Sequence, residues 1–233
     1  WLAHFTNSII IGMFPLLAVV CAAGSAGLAL CGAYLLHRVQ FNPAMGRVRD
    51  VLSFFALGVV VSPLVSAFIG TTSFFFSDLL HQQTYAFHLF TWWVGDAMGV
   101  LIVAPVLFVW AKISFEKPRQ QRVLEGAILV LLLGVTASLV FGGGIGGRSF
   151  YPLAYLVFPF FVWGALRFDQ RFIVTLMLFT ATIAVIQTSR EYGSFSQTMV
   201  WNSVLFLWAY ITTMAITSML LGATLTERRG AER

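Results

Sequence analysis

Asp96 is the one carboxylate well inside a long apolar run, in the segment FTWWVGDAMGVLIVAPVL at 90–107. An ionised side chain at that depth costs about 3 kcal/mol on insertion scales. A hydrogen-bond partner, a water-lined pocket or a bound proton must offset it. Trp92 and Trp93 precede it by one helical turn and share its face. Gly95 and Gly99 have the spacing that lets a second helix approach closely. Pro105 deletes one backbone hydrogen bond and is expected to kink the helix. Two chemistries fit this group: a polar spot in a ligand- or proton-sensing pocket, or a polar residue that holds two helices together.

Little else in the chain points to catalysis. HExxH, a nucleophile elbow, a phosphate-binding loop and a second deep carboxylate are all missing. His81 and His88 lie seven residues apart with only Asp78 near in sequence, too few donors for a metal, so no metal and no cofactor is expected. His4 is isolated, and His37 reads as interfacial. GGGIGG at 142–147 matches GxGxxG but follows an apolar helix with no strand before it, which removes the dinucleotide reading. Cys21 and Cys31 would sit roughly 15 Å apart on one helix, beyond disulfide reach, and read as small core residues.

The elements that position Asp96 follow from composition. Of 233 residues, 59% are hydrophobic and 10% charged, against about a quarter charged in a soluble domain. A soluble globule of this length has no way to hide so much apolar surface. Apolar runs predict membrane-spanning helices near 14–36, 50–71, 87–111, 123–141, 151–167, 171–189 and 198–226, with 1–11 as the tail of another helix. The fold class is an all-α polytopic bundle of about seven full spans plus a partial N-terminal helix. Period-two alternation is lacking, which argues against an outer-membrane barrel.

The net charge of +5 matters less than its placement. Arg38, Arg47, Arg49, Lys112, Lys117, Arg119, Arg122, Arg167, Arg171, Arg228, Arg229 and Arg233 all fall in alternate connections or the tail. Only Arg148 and Arg190 fall in the others. The positive-inside rule then sends the first full span from outside to inside and makes the C-terminus cytoplasmic. No nucleic-acid partner is implied, and the lipid bilayer is the surrounding. The outer loops are short and nearly uncharged, so any stimulus must be met within the membrane or at its rim.

Depth narrows the partners of Asp96. It lies about 5 Å outward of its span centre, and Tyr155 about 6 Å outward of Pro159, the centre of 151–167. Arg167 is roughly 12 Å inward, which argues against an Asp96–Arg167 bridge. Tyr155 and Ser66 are the better hydrogen-bond candidates, and Asn202 a weaker one near the outer end of the last span. In FPFFVWGALR at 158–167, Trp163 is a candidate pocket wall. Arg167 is read mainly as an interfacial anchor that snorkels, with contact to a cytoplasmic helix as the functional option.

These residues resemble the first described family of bacterial membrane-associated sensor domains. The likeness is carried by Trp92, Trp93, Gly95, Asp96, Gly99, Ala104 and Pro105; by Pro159, Trp163, Ala165 and Arg167; and by Arg49, Asp50 and Ser66 in RDVLSFFALGVVVSPLVSAFIG. The tail LTERRGAER resembles the family's exit into a signalling helix, and the family usually has further N-terminal helices. The resemblance implies an input module of diguanylate cyclases, cyclic-di-GMP phosphodiesterases or sensor histidine kinases. On that reading 1–226 is a sensory domain of the bacterial inner membrane, and 227–233 begins the linker to an output domain, with Arg228 and Arg229 at the cytoplasmic interface. The segment itself is not an enzyme. Its stimulus is a small molecule or a membrane protein, and homodimerisation suits an output that works in pairs.

A permease- or channel-like module and a membrane scaffold are the rival readings. No internal repeat supports the first, and the glycine spacing alone suggests the second. Asp96→Asn keeps a structural hydrogen bond but removes a titrating group. It is expected to fold like the parent and to alter any pH dependence of signalling. Equal output from both forms at every pH would reduce Asp96 to a packing residue.

Overall fold

The structure, a computed structural model, describes residues 15–77, 84–111, 120–142, 151–190 and 200–231. The expected helix at 1–11, and the readings on His4, His81, Asp78, Lys112, Lys117, Arg119, Arg148, Arg233 and most of GGGIGG, lie outside these. Among the described residues every regular element is helical. In order they are α1 (Pro15–Arg38), α2 (Val48–Ser53), a π-helical segment (Phe54–Val61), α3 (Ser62–Phe76) and α4 (Tyr85–Trp110). There follow α5 (Gln120–Phe141), a 3-10 helix (Tyr151–Val157), α6 (Phe158–Arg167), α7 (Gln170–Ser189) and α8 (Val200–Ala231).

Among the described residues, six helical stretches are long and apolar enough to cross a membrane, with Ala154–Arg167 as a shorter one. That agrees roughly with the expected bundle of about seven spans; at 151–167 the α-helical part is ten residues long. Pro159 stands at its beginning, where a missing N–H costs nothing. The 3-10 helix before it rises about 2.0 Å per residue, so the two together have a contour of about 29 Å. α4 runs through Pro105 to Trp110 as one helix.

The chain divides into two compact units, Trp1–Phe41 with Leu52–Leu101, and Asn42–Val51 with Ile102–Arg233. In the first, α1 lies against α3. Burying leucine among lipid tails drives little association, so close backbone approach must supply the contact. Gly24, Gly27 and Gly32 provide it: a Cβ there would meet Ile69 at 3.4 Å, Val65 at 3.3 Å and the Ser62 hydroxyl at 3.2 Å. The order of these contacts makes the two helices antiparallel.

Pro63 accounts for part of the π geometry before α3. The Ser62 N–H reaches back five residues to the Leu57 carbonyl, but Pro63 has no N–H to give to Gly58 in the same register. The Ser62 hydroxyl donates to the Gly58 carbonyl instead, at 2.7 Å.

In the second unit α7 packs on α5, α6 and α8. Leu129, Leu133, Ile173, Met177, Ile211 and Met214 form its buried centre. Gly126 and Gly134 of α5 each receive phenyl rings of the facing segment, Phe168 and Phe172 at the first and Phe179 at the second. The Tyr210 hydroxyl donates to the Ala154 carbonyl at 3.0 Å, tying α8 to the 3-10 helix. Cys21 and Cys31 are free thiols.

Gly70 of α3 is the tightest of these approaches in the first unit, because its missing Cβ would stand 2.5–2.8 Å from the Trp92 ring. Gly70→Ala is expected to destabilise the purified domain by roughly 1–3 kcal/mol through overpacking. Gly95→Ala should leave it unchanged, since a Cβ there meets nothing within 4 Å. Thermal unfolding of both variants in detergent checks the contrast.

Candidate functional site

The residues singled out around Asp96 separate into the two units, and each group has its own surroundings. In the first unit, Trp92 lays its ring on Gly70 and stands edge-on to Phe74, with centroids 5.5 Å apart. Trp93 donates its indole N–H to the Val60 carbonyl at 2.9 Å. That acceptor belongs to the π-helical segment, where the backbone ladder is displaced from its usual register. The two tryptophans therefore join α4 to α3 and to the π turn. Asp96 is half-buried one turn further along α4.

Ser66 is buried, and its hydroxyl has no partner among the described residues. Its backbone faces Gly24 of α1, with the Ser66 Cα 3.6 Å from where a Cβ would stand. Thr71, one turn along α3, is likewise buried with a hydroxyl that has no partner among the described residues. Gly95 and Gly99 are exposed, and within their own unit no atom comes within 4 Å of a Cβ built on either.

Tyr155, Trp163 and Asn202 fall in the second unit. Tyr155 is exposed, with its ring near Phe158 and Tyr210 at 5.9 and 6.3 Å. The side chain of Asn202 lies outside the described residues. Trp163 and Arg167 meet at Glu125 of α5, a carboxylate outside the expected site. Arg167 donates through Nε to Oε1 at 2.7 Å and through Nη2 to Oε2 at 3.1 Å, a two-pronged pair. The Trp163 indole donates to the same Oε1 at 3.1 Å. The signal was present: Glu125 stands at the start of a span whose preceding loop and the 167–171 turn both carry arginines, at one predicted membrane face.

Three further contacts gather on the last helix. Arg229 donates to the Leu166 carbonyl at the end of α6. Glu227 accepts the Val48 N–H at 3.3 Å, at the start of α2, where a carboxylate suits the positive end of a helix. Gln170, at the first turn of α7, is buried and donates to the Met219 carbonyl at 3.4 Å. Its Oε1 has no hydrogen-bond partner among the described residues and lies against Gly222. The 42–50 turn beside them is held by Asp50, which is buried and accepts the Asn42 N–H at 3.2 Å. Met45 within it is fully buried at a φ of 47°.

Gly222→Ala places a methyl group against the Gln170 and Ile173 side chains. It is expected to lower stability by roughly 1–3 kcal/mol. Adding Gln170→Ala should relieve part of that loss, and a double-mutant cycle on thermal unfolding reads the coupling directly.

Among protein-family models, that of MASE1 matches the chain over residues 1–229. No curated protein and no solved structure matches the chain.

Proposed function

The chain belongs to the MASE1 family, membrane-associated sensor domains found in signalling proteins, and on that premise we propose that it is the input module of a bacterial inner-membrane signalling protein. Its stimulus acts within the helix bundle, and its output domain is a diguanylate cyclase, a cyclic-di-GMP phosphodiesterase or a histidine kinase joined beyond residue 226. The C-terminus is cytoplasmic, supported by twelve of the fourteen basic residues falling on one predicted side. Asp96, with Trp92, Trp93 and Ser66, is the stimulus-responsive group on the first unit. A homodimer supplies the pairing that such outputs need.

The observation that carries this reading is the continuity of α8. It runs from Val200 to Ala231 without a break, a length of about 48 Å against about 30 Å of hydrocarbon. Its middle is buried through Ile211, Met214, Ala215 and Met219, and from Thr226 onward it carries the charged sequence TERRGA. A rotation imposed on the buried stretch must appear at the charged end, because a helix transmits rotation along its axis. Gln170, Arg229 and Glu227 are the contacts that such a rotation would break or re-form. A stimulus drives it only by binding the two arrangements with unequal affinity.

The test is a phase series. A diguanylate cyclase output is fused after Ala231, and one to seven alanines are inserted at the junction. Each added residue turns the output by about 100°, and seven return it near its original face. Cyclase activity is expected to vary with phase and to recover at seven. Activity indifferent to phase and to Asp96→Asn would overturn the proposal.

A further inference from the structure

A groove of about 1980 Å³ runs along the second unit between α5 and α7, well beyond the roughly 300–1,000 Å³ of a small-molecule pocket. Its two ends differ in chemistry. At one end stand Arg122, Arg167, Arg171 and Arg229. The two carboxylates among them are engaged: Glu125 by Arg167 and Trp163, and Asp169 by the Phe172 N–H that it caps at 3.3 Å. A positive balance remains. The rest of the groove is uncharged, passing Leu131, Gly134, Val135 and Leu139 on α5 and Phe179 and Ile183 on α7. Leu131, Val135, Leu139 and Phe179 are exposed there, and the floor is closed where phenyl rings pack onto Gly126 and Gly134.

We propose that this groove is a binding site for an anionic phospholipid, with the phosphate among Arg122, Arg171 and Arg229 and an acyl chain lying along Ala127, Val130 and Leu131. The argument is one of complementarity. A free anion would use the arginines and leave the apolar length unmatched. A neutral hydrocarbon would do the reverse. A zwitterionic lipid brings its own cation against four arginines. Only an anionic amphiphile satisfies both ends.

Dimensions agree. One leaflet of hydrocarbon is about 15 Å deep, or about ten residues of helix. Counting from Arg122, that reaches Leu132, so a chain anchored at the arginines passes Ala127 and Val130 and ends beside Leu131. The site is independent of the proposed signalling role. Arg229 nevertheless lies both at the groove mouth and on the charged end of α8, against the Leu166 carbonyl.

The test uses the full chain purified in detergent and stripped of lipid. Phosphatidylglycerol, phosphatidylcholine of the same acyl composition, and inorganic phosphate are added separately. Retained lipid is read by native mass spectrometry and stability by thermal unfolding. Phosphatidylglycerol is expected to bind and to raise the unfolding temperature, while the other two do neither. Arg122→Gln with Arg171→Gln should weaken retention by about 30-fold, from about fivefold per arginine near a lipid phosphate. The corresponding lysine pair should restore most of it, and Arg190→Gln, on the next turn of chain beyond α7, should change nothing. Equal binding of phosphatidylcholine, an equal thermal shift with phosphate alone, or full retention by the glutamine pair would overturn the proposal.

Discussion

Backbone proximity is the constraint on which the rest of this molecule depends. Among lipid tails a leucine on a helix surface is as well solvated as one between helices, so attraction has to come from close packing and polar contacts. The chain meets this with glycine opposite bulk. Gly24, Gly27 and Gly32 admit the branched and hydroxyl side chains of α3, Gly70 admits the Trp92 ring, Gly126 and Gly134 admit phenyl rings, and Gly222 admits Gln170. Each pairing fixes a depth and a rotation at once, because a ring fits only where the opposing Cβ is missing. The polar contacts at Glu125, Glu227 and Arg229 then sit where those rotations place them.

The broad architecture was legible because its signals are local. Hydropathy located the long helices, and the i, i+3 and i+4 rule placed Trp92, Trp93 and Asp96 on one face. The segment 151–157 is helical as expected but of the 3-10 type, which length and hydropathy do not distinguish from α-helix. The packing glycines on α1 went unread for a different reason. Their significance lies in what faces them, and neither Ile69 nor Ser62 is near Gly24 or Gly32 in sequence. Attention instead fell on Gly95 and Gly99, whose spacing is the better-known signature but whose own unit places nothing against them.

The polar residues show the same division. Asp96 was conspicuous because it interrupts an apolar run. Glu125 was not, standing beside the arginines of the preceding loop where a carboxylate looks solvated. Its importance is relational: it gathers Arg167 and Trp163 from another helix. Gln170 was invisible for a related reason. A glutamine at the first turn of a helix, next to an aspartate cap, reads as surface, yet it is buried against α8. Arg167 reads as an interfacial anchor, and within its own unit it is paired with Glu125.

The π-helical segment Phe54–Val61 has a mechanical consequence. Every N–H in such a turn has two acceptors within reach, the carbonyl four residues back and the one five back, and the difference between them is one residue of winding. A stretch of this kind is a torsional slack in an otherwise stiff rod. Changing it from the five-residue to the four-residue register would alter the winding by about 100°. Because Val60 already gives its carbonyl to Trp93, any such rewinding is felt at once by the helix that carries Asp96.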